Sequence, residues 1–232
     1  MRKIMFATIL TVLMAFSTSF AAENVNSPPI ISVNGEGFIE MTPDRAKISV
    51  GVVTNAKNPS EAQNSNARAA KSVIDSIIGL GIERKNISTS NFSIYPTRNG
   101  DRNEITGYEA TNSVTVVVDD LNLVGKIIDA ALKNGANHVD GLNFGLRDKN
   151  SAQDEAIRLA VLDAKRKAQI AAVALGQTIV GVRNVMINSS SVSAPRNYKL
   201  ARATEDSASF DTPVESGTVT CAASVHVEFE IR

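Results

Sequence analysis

The feature that most constrains this chain is a weak internal repeat: strand, capped helix, glycine, strand carrying a phenylalanine. In the first copy Ala46, Ile48, Val50 and Val52 alternate with Lys47, Ser49 and Gly51, which predicts a half-buried strand. Asn58-Pro59-Ser60-Glu61 then reads as a helix start, with Asn at the N-cap, Pro at the first helical position and Glu two further on. Ala70, Val73, Ile74, Ile77 and Leu80 give that helix an apolar stripe, and Gly79 and Gly81 end it. Phe92 and Ile94 mark the following strand, with Thr89, Asn91 and Ser93 on its other face. In the second copy Tyr108, Ala110, Val114, Val116 and Val118 share one face of a long strand. Asp119 or Asp120 caps a helix striped by Leu121, Val124, Ile127, Ile128 and Ala131, which Lys133 and Gly135 close. Leu142, Phe144 and Leu146 line the last strand of the repeat. Each copy resembles a βαβ crossover, which should set its two strands parallel. Thr97 to Glu104 joins the copies, and Arg98-Asn99-Gly100-Asp101 reads as an exposed turn between antiparallel strands.

The remainder of the chain departs from the repeat. Ser151 with Asp154 offers a capping-box-like start to the longest helix, which runs to Gly176. Its apolar seam is Ile157, Val161, Ala164, Ala168, Ala171 and Leu175. Half of that seam is alanine, which permits close approach of another helix or a sheet. The seam is short for a coiled coil, so packing within one subunit is the expected use. A strand near Ile179 to Ile187 follows. Asn188 to Ser216 is polar and Ser-rich, contains Pro195 and Pro213, and predicts a mobile loop at about 188–216. The final strand puts Val219, Cys221, Ala223, Val225, Val227, Phe229 and Ile231 on a core face, against Thr220, Ser224, His226, Glu228 and Glu230 on a wet one. The fold class expected is therefore α+β: a two-layer α/β sandwich of two βαβ-like units plus a long C-terminal helix and antiparallel strands.

The N-terminus predicts export. Arg2 and Lys3 precede an apolar run from Ile4 to Phe16, and Ser17, Thr18 and Ser19 open a small polar region. Ser19-Phe20-Ala21 places small residues where signal peptidase needs them, so residues 1–21 read as a cleavable signal peptide and 22–232 as the mature domain. The apolar run is too short for a spanning helix, which needs about 20 residues. No cysteine follows it to carry a lipid. The chain has 24 basic and 24 acidic residues, and cleavage removes Arg2 and Lys3, leaving a formal charge of −2. Such a surface has no general pull toward nucleic acid or acidic lipid. The one cysteine, Cys221, cannot form an internal disulfide. The absence of tryptophan argues against a base-stacking or sugar-stacking platform.

A search for chemistry finds little. His138 and His226 lie on different elements with no acidic or thiol partner at ligand spacing, whereas zinc needs three or four ligands. His226, among Glu228 and Glu230, reads as an exposed surface histidine. Cys221, on the apolar face of its strand, reads as an inert buried thiol. Gly35-Glu36-Gly37 lacks the third glycine and following helix of a phosphate loop, and predicts a strand bulge or turn. Arg158, Lys165, Arg166 and Lys167 are diluted by Glu155 and Asp163 and read as a solvated helix face. Tyr108, Asp44 and Glu36 are the remaining candidates for chemistry, and Gly107-Tyr108 and Pro43-Asp44 have ready roles at strand starts and turns. No catalytic, cofactor-binding or metal residue is assigned, and no cofactor is expected.

Several short motifs recur in a telling order. They are Val33-Asn34-Gly35-Glu36-Gly37, Pro43-Asp44-Arg45-Ala46, Thr89 with Phe92-Ser93-Ile94 and Pro96, and Ile105-Thr106-Gly107-Tyr108. Gly135-Ala136-Asn137 and Phe144 follow, and the long helix carries Ala160, Asp163-Ala164-Lys165, Lys167-Ala168 and Ala174-Leu175-Gly176. In this order, from about Ile30 to Arg232, the chain resembles the SIMPL-domain family of YggE-like periplasmic immunogenic and oxidative-stress-defence proteins. The resemblance implies an α+β two-layer fold, a periplasmic address in a Gram-negative bacterium and no established enzymatic activity. The function expected is a non-catalytic periplasmic protein that forms a homo-oligomer or binds an envelope protein partner, with a role in envelope or oxidative-stress tolerance. The alternative is a small-molecule or peptide binding module with the 188–216 loop as a lid. An enzyme is not expected.

Overall fold

A computed structural model describes residues 28–100, 103–193 and 212–232. The expected signal peptide, Asp101 and most of the expected 188–216 loop lie outside these residues. The described chain forms two lobes, each a sheet with helices on one face and its own core.

The repeat builds the first lobe. Strand β2 (Arg45–Ala56), helix α1 (Pro59–Gly79), strands β3 (Ile87–Arg98) and β4 (Ile105–Val118), helix α2 (Val124–Lys133) and strand β5 (His138–Gly145) follow in order. The sheet order is β3-β4-β2-β5, and every hydrogen-bonded pair in it is antiparallel. Because β2 and β3 both run against β4, they run parallel to each other; the same holds for β4 and β5 about β2. The crossovers expected from the repeat therefore have the right direction, but each is split by a strand of the other copy. This is the β-α-β-β-α-β split arrangement of ferredoxin-like folds. The expected helix caps hold in detail. Asn58 Oδ1 accepts from the Glu61 amide at 2.9 Å, and Asp120, not Asp119, accepts from the Asn122 amide at 3.0 Å in a 3₁₀ turn ahead of α2.

Ile48, Val50, Val73, Ile77, Val114, Val116 and Ile127 form the core of this lobe and are essentially inaccessible. Phe144 joins them, whereas Phe92, midway along β3, stays half exposed. Two asparagines that look out of place have structural work. Asn66, fully buried on α1, donates from Nδ2 to the carbonyls of Val52 and Ala110, both at 2.8 Å. Asn137 pairs with Val53 like an extra strand residue, accepting its N–H at 2.9 Å and donating to its carbonyl at 2.7 Å.

The second lobe is assembled from the two ends of the chain. Strand β1 (Ile30–Met41) pairs with the last strand, β7 (Val219–Ile231), and β6 (Ile179–Ser193) lies on the other side of β7. Helix α3 (Lys149–Ala174) crosses all three strands. Leu146, expected on β5, lies beyond its end and is buried in this second core. Helix α3 starts earlier than expected: Asp148 caps it, accepting the amides of Asn150 and Ser151 at 3.0 and 3.1 Å.

The seam expected on α3 is only partly right. The buried residues are Ala152, Ala156, Ala160, Ala164, Ala168 and Ala172, while Val161 and Leu175 are exposed and Ile157 and Ala171 flank the core. A strict spacing of four turns the stripe by about 40° per step, so it winds around the helix and follows a twisted sheet. The reason that only methyl groups fit is on β1. Gly35 and Gly37 form neither bulge nor turn, contrary to expectation, since the β1–β7 register is continuous. They are where strand and helix backbones meet. A Cβ on Gly35 would strike the carbonyl oxygen of Ala160 and lie 2.7 Å from the Ala164 nitrogen. A Cβ on Gly37 would strike the Ala156 carbonyl and lie 2.9 Å from Leu159 Cβ.

Strand β6 continues to Ser193, into the segment expected as a mobile loop, and at the far end of that segment Thr212 is held by the first lobe. There the Thr212 amide and hydroxyl donate to Asp129 of α2 at 3.1 and 2.7 Å, and Val214 packs on the first core.

Gly35→Ala or Gly37→Ala should destabilise the protein by about 3 kcal/mol, at the upper end of overpacking costs because backbone rather than a side chain must yield. Gly79→Ala, near the end of α1 with nothing within 4 Å of its added methyl, should instead stabilise by about 0.5–1 kcal/mol. Urea unfolding of the three variants measures both.

Candidate functional site

The residues singled out for chemistry are scattered. Asp44 sits in the β1–β2 connection and accepts the Arg147 amide at 2.7 Å. Tyr108 lies at the far end of β2's partner strand, in register with Ala56 and Pro96. Glu36 is on β1 of the other lobe. The three do not converge. His138 is exposed and lies 3.3 Å from Asp140. Among the described residues no group of three or more His, Cys, Asp or Glu side chains is placed to hold a metal. Cys221 is fully buried, and burial raises its thiol pKa, which keeps it protonated and inert.

His226 differs from expectation. It is half-buried and bridges two β1 side chains rather than standing free. Its Nε2 lies 3.0 Å from Ser32 Oγ and its Nδ1 lies 2.8 Å from Asn34 Oδ1. Sequence reasoning missed Ser32 and Asn34 because 194 and 192 positions separate them from the histidine. Only the β1–β7 ladder brings them together.

An ion-pair cluster sits at the two connections between the lobes. Arg45 Nε donates to Asp119 Oδ1 at 2.7 Å and Arg147 reaches Asp119 Oδ2 at 3.3 Å. The Arg45 hydrogen bond, then its charge and that of Arg147, hold Asp119 below the usual carboxylate range. Asp44, Arg45 and Arg147 lie where the chain passes between lobes, so this cluster ties together both crossings.

The surface that stands out for function is the second lobe's sheet, whose two edges are treated differently. The β1 edge is guarded. Asp163 on α3 accepts the Glu36 amide at 3.1 Å, and Lys167 Nζ donates to the Asn34 carbonyl at 3.0 Å. Asp163 also binds Lys167 and Arg166, both at 2.6 Å. So these charges, expected to be merely a solvated face, blunt an edge strand. The β6 edge has no such guard among the described residues. It exposes Val180, Val182, Val185, Met186 and Ile187, each about half accessible. Helix α3 also exposes Val161, Leu162, Ile170, Val173 and Leu175, of which Val161 stands beside β6. Between them runs an open groove of about 420 Å³, floored by Val227 and Phe229, with Lys165 and Gln169 in its lining. Three register shifts against β7 interrupt the edge, so any pairing on it would proceed in short runs.

The described residues thus define an α+β protein of two antiparallel sheets, each covered by helix on one face. The family model "SIMPL: Protein of unknown function (DUF541)" matches residues 31–229, and the chain belongs to that family. The chain is 33% identical to the "26 kDa periplasmic immunogenic protein" of Brucella melitensis biotype 1, over 98% of its own length and 95% of the relative. It is 23% identical to "Uncharacterized protein YggE" of Escherichia coli (strain K12), over 96% of its length and 92% of the relative. Among the described residues no helix is long and apolar enough to cross a membrane.

Asp163→Asn tests the guarded edge. The hydrogen bond from Lys167, then those from Arg166 and the Glu36 amide, hold the Asp163 carboxyl well below its ordinary value of 3.8. A lowered folded pKa stabilises above the unfolded pKa, and that contribution is lost as pH falls through the folded one. The variant should therefore be less stable by about 1–2 kcal/mol at pH 7. The difference from wild type should shrink steadily below about pH 4. Urea midpoints across pH 2–7 measure it.

Proposed function

We propose that this is a self-assembling periplasmic protein, exported with residues 1–21 as a cleaved signal peptide, that supports the envelope under oxidative or other stress. The contrast between the two edges of the second lobe's sheet carries the assembly reading. One edge is blocked by Asp163 and Lys167, while the other combines strand backbone unpaired among the described residues with an apolar groove. Exposed apolar surface of this extent, next to an open edge, is a general mark of protein–protein contact. A second copy offers the same strand and groove, so a symmetric pairing can bury both. The periplasmic address draws support from the name of the Brucella relative. The stress role rests on the family likeness. Assembly itself requires no catalysis.

A second reading is favoured by the groove alone. An extended peptide or small apolar molecule could lie along β6 in place of another copy. Metabolite or peptide binding would then stabilise the monomer without changing its mass.

Light scattering on the mature protein should give a mass above that of one chain. Val182→Lys with Ile187→Lys, both at exposed β6 positions, should reduce it to the monomer and leave the melting temperature within a few degrees. A wild-type protein that is monomeric at tens of micromolar would sink the assembly reading.

A further inference from the structure

The polar face of the second lobe's sheet, opposite α3, carries an arrangement that assembly does not use. Ser32 and Asn34 are alternate residues of β1, and His226 lies directly across from Asn34 on β7. The Asn34 carboxamide oxygen can only accept, so the His226 Nδ1 at 2.8 Å carries the proton. In the neutral ring this leaves a lone pair on Nε2, and the Ser32 hydroxyl at 3.0 Å donates to it. Nucleophile, base and orienting group are thus in hydrogen-bond sequence, the arrangement by which serine acyl transfer is recognised on unrelated folds.

Two further observations bear on reactivity. The β1–β7 register is continuous, and the Asn34 carbonyl and Glu36 amide both turn to the free edge, where α3 binds them. By the same alternation the Ser32 amide also faces that edge. It is a donor beside its own hydroxyl, able to serve an oxyanion formed there. Charge then limits the partner. Glu228 is directly opposite Ser32, and Glu36 follows on the same face of β1, so an anionic substrate is repelled.

We propose that Ser32 is an activated nucleophile that accepts an acyl group from a small uncharged or cationic ester, with His226 as general base and Asn34 as its positioning residue. Ser32 Oγ bonds to the ester carbonyl carbon as its proton passes to His226 Nε2, and the carbonyl electron pair moves to oxygen. Collapse of that intermediate breaks the carbon–oxygen bond to the leaving alcohol, which takes the proton from Nε2. Water then attacks the acyl-serine, with His226 again taking a proton, to release the carboxylic acid and restore Ser32. With Ser32 on an open sheet face among the described residues, acylation should be readily observed and turnover slow. This property is distinct from assembly, since it needs Ser32 and Asn34 of β1, on the other side of β7 from the β6 edge.

The test uses mature protein with 4-nitrophenyl acetate, its anionic hemisuccinate analogue, and a fluorophosphonate probe located by peptide mass spectrometry. The probe should label Ser32, and Ser32→Ala, at an exposed position, should abolish both labelling and acetyl transfer. His226→Gln should slow both by about a hundredfold, the usual scale of general base catalysis. The acetate should react faster than the hemisuccinate. Nitrogen NMR of His226 should show the Nδ1–H tautomer in wild type and lose that preference in Asn34→Ala. Labelling at another residue, undiminished transfer in Ser32→Ala, equal rates in His226→Gln, or an Nε2–H tautomer would each overturn the proposal.

Discussion

The second lobe depends on one contact: the crossing of β1 over α3 without side chains between them. Gly35 and Gly37 bring the strand against the carbonyls of Ala156 and Ala160, and the alanine stripe keeps the helix low along its length. Close approach of this kind increases dispersion contact per residue while leaving little room for relaxation. It also sets the helix at a height from which Asp163 and Lys167 reach over the strand to its free backbone groups. Packing and edge protection therefore have a common origin. The same crossing holds β1 in register with β7, and that register places Ser32 and Asn34 around His226.

The chain's path gives this contact a wider reach. The second lobe is closed by strands from opposite ends of the described chain, with the whole first lobe inserted between β1 and α3. Forming β1–β7 must wait for distant segments to meet, which costs loop-closure entropy that local helix and hairpin formation do not. The Arg45–Asp119–Arg147 cluster and the Thr212–Asp129 contacts sit at the places where the chain passes from one lobe to the other. Each is exposed or only part-buried, so they orient the crossings more than they stabilise the cores.

Much of the first lobe was legible because its signals are local. Alternation in β2 and β4, the Asn58-Pro59 start, the Asp120 cap and the glycines after the helices each concern neighbours within a few residues. What the repeat left open was pairing. A repeat of strand, helix and strand specifies direction, but not that a strand of the other copy intervenes. On α3 the reading failed for a different reason. Hydrophobicity favoured Val161 and Leu175 as core, whereas the close glycine strand admits only methyl groups and leaves the larger residues outside. The candidate surfaces were least legible. The exposed valines of β6 look like core residues in sequence, and Ser32, Asn34 and His226 form no motif along the chain.

The sequence alone therefore determined the helices, the strands other than β1, the caps of the first lobe, the α+β class and the family resemblance, because these follow from periodicity, turn chemistry and ordered short motifs. Only the tertiary structure decided which strands are neighbours, which edge of the second sheet is guarded, and which side chains share a face. Those outcomes depend on contacts between residues far apart in the chain, and above all on how closely two glycines allow one strand to approach a helix.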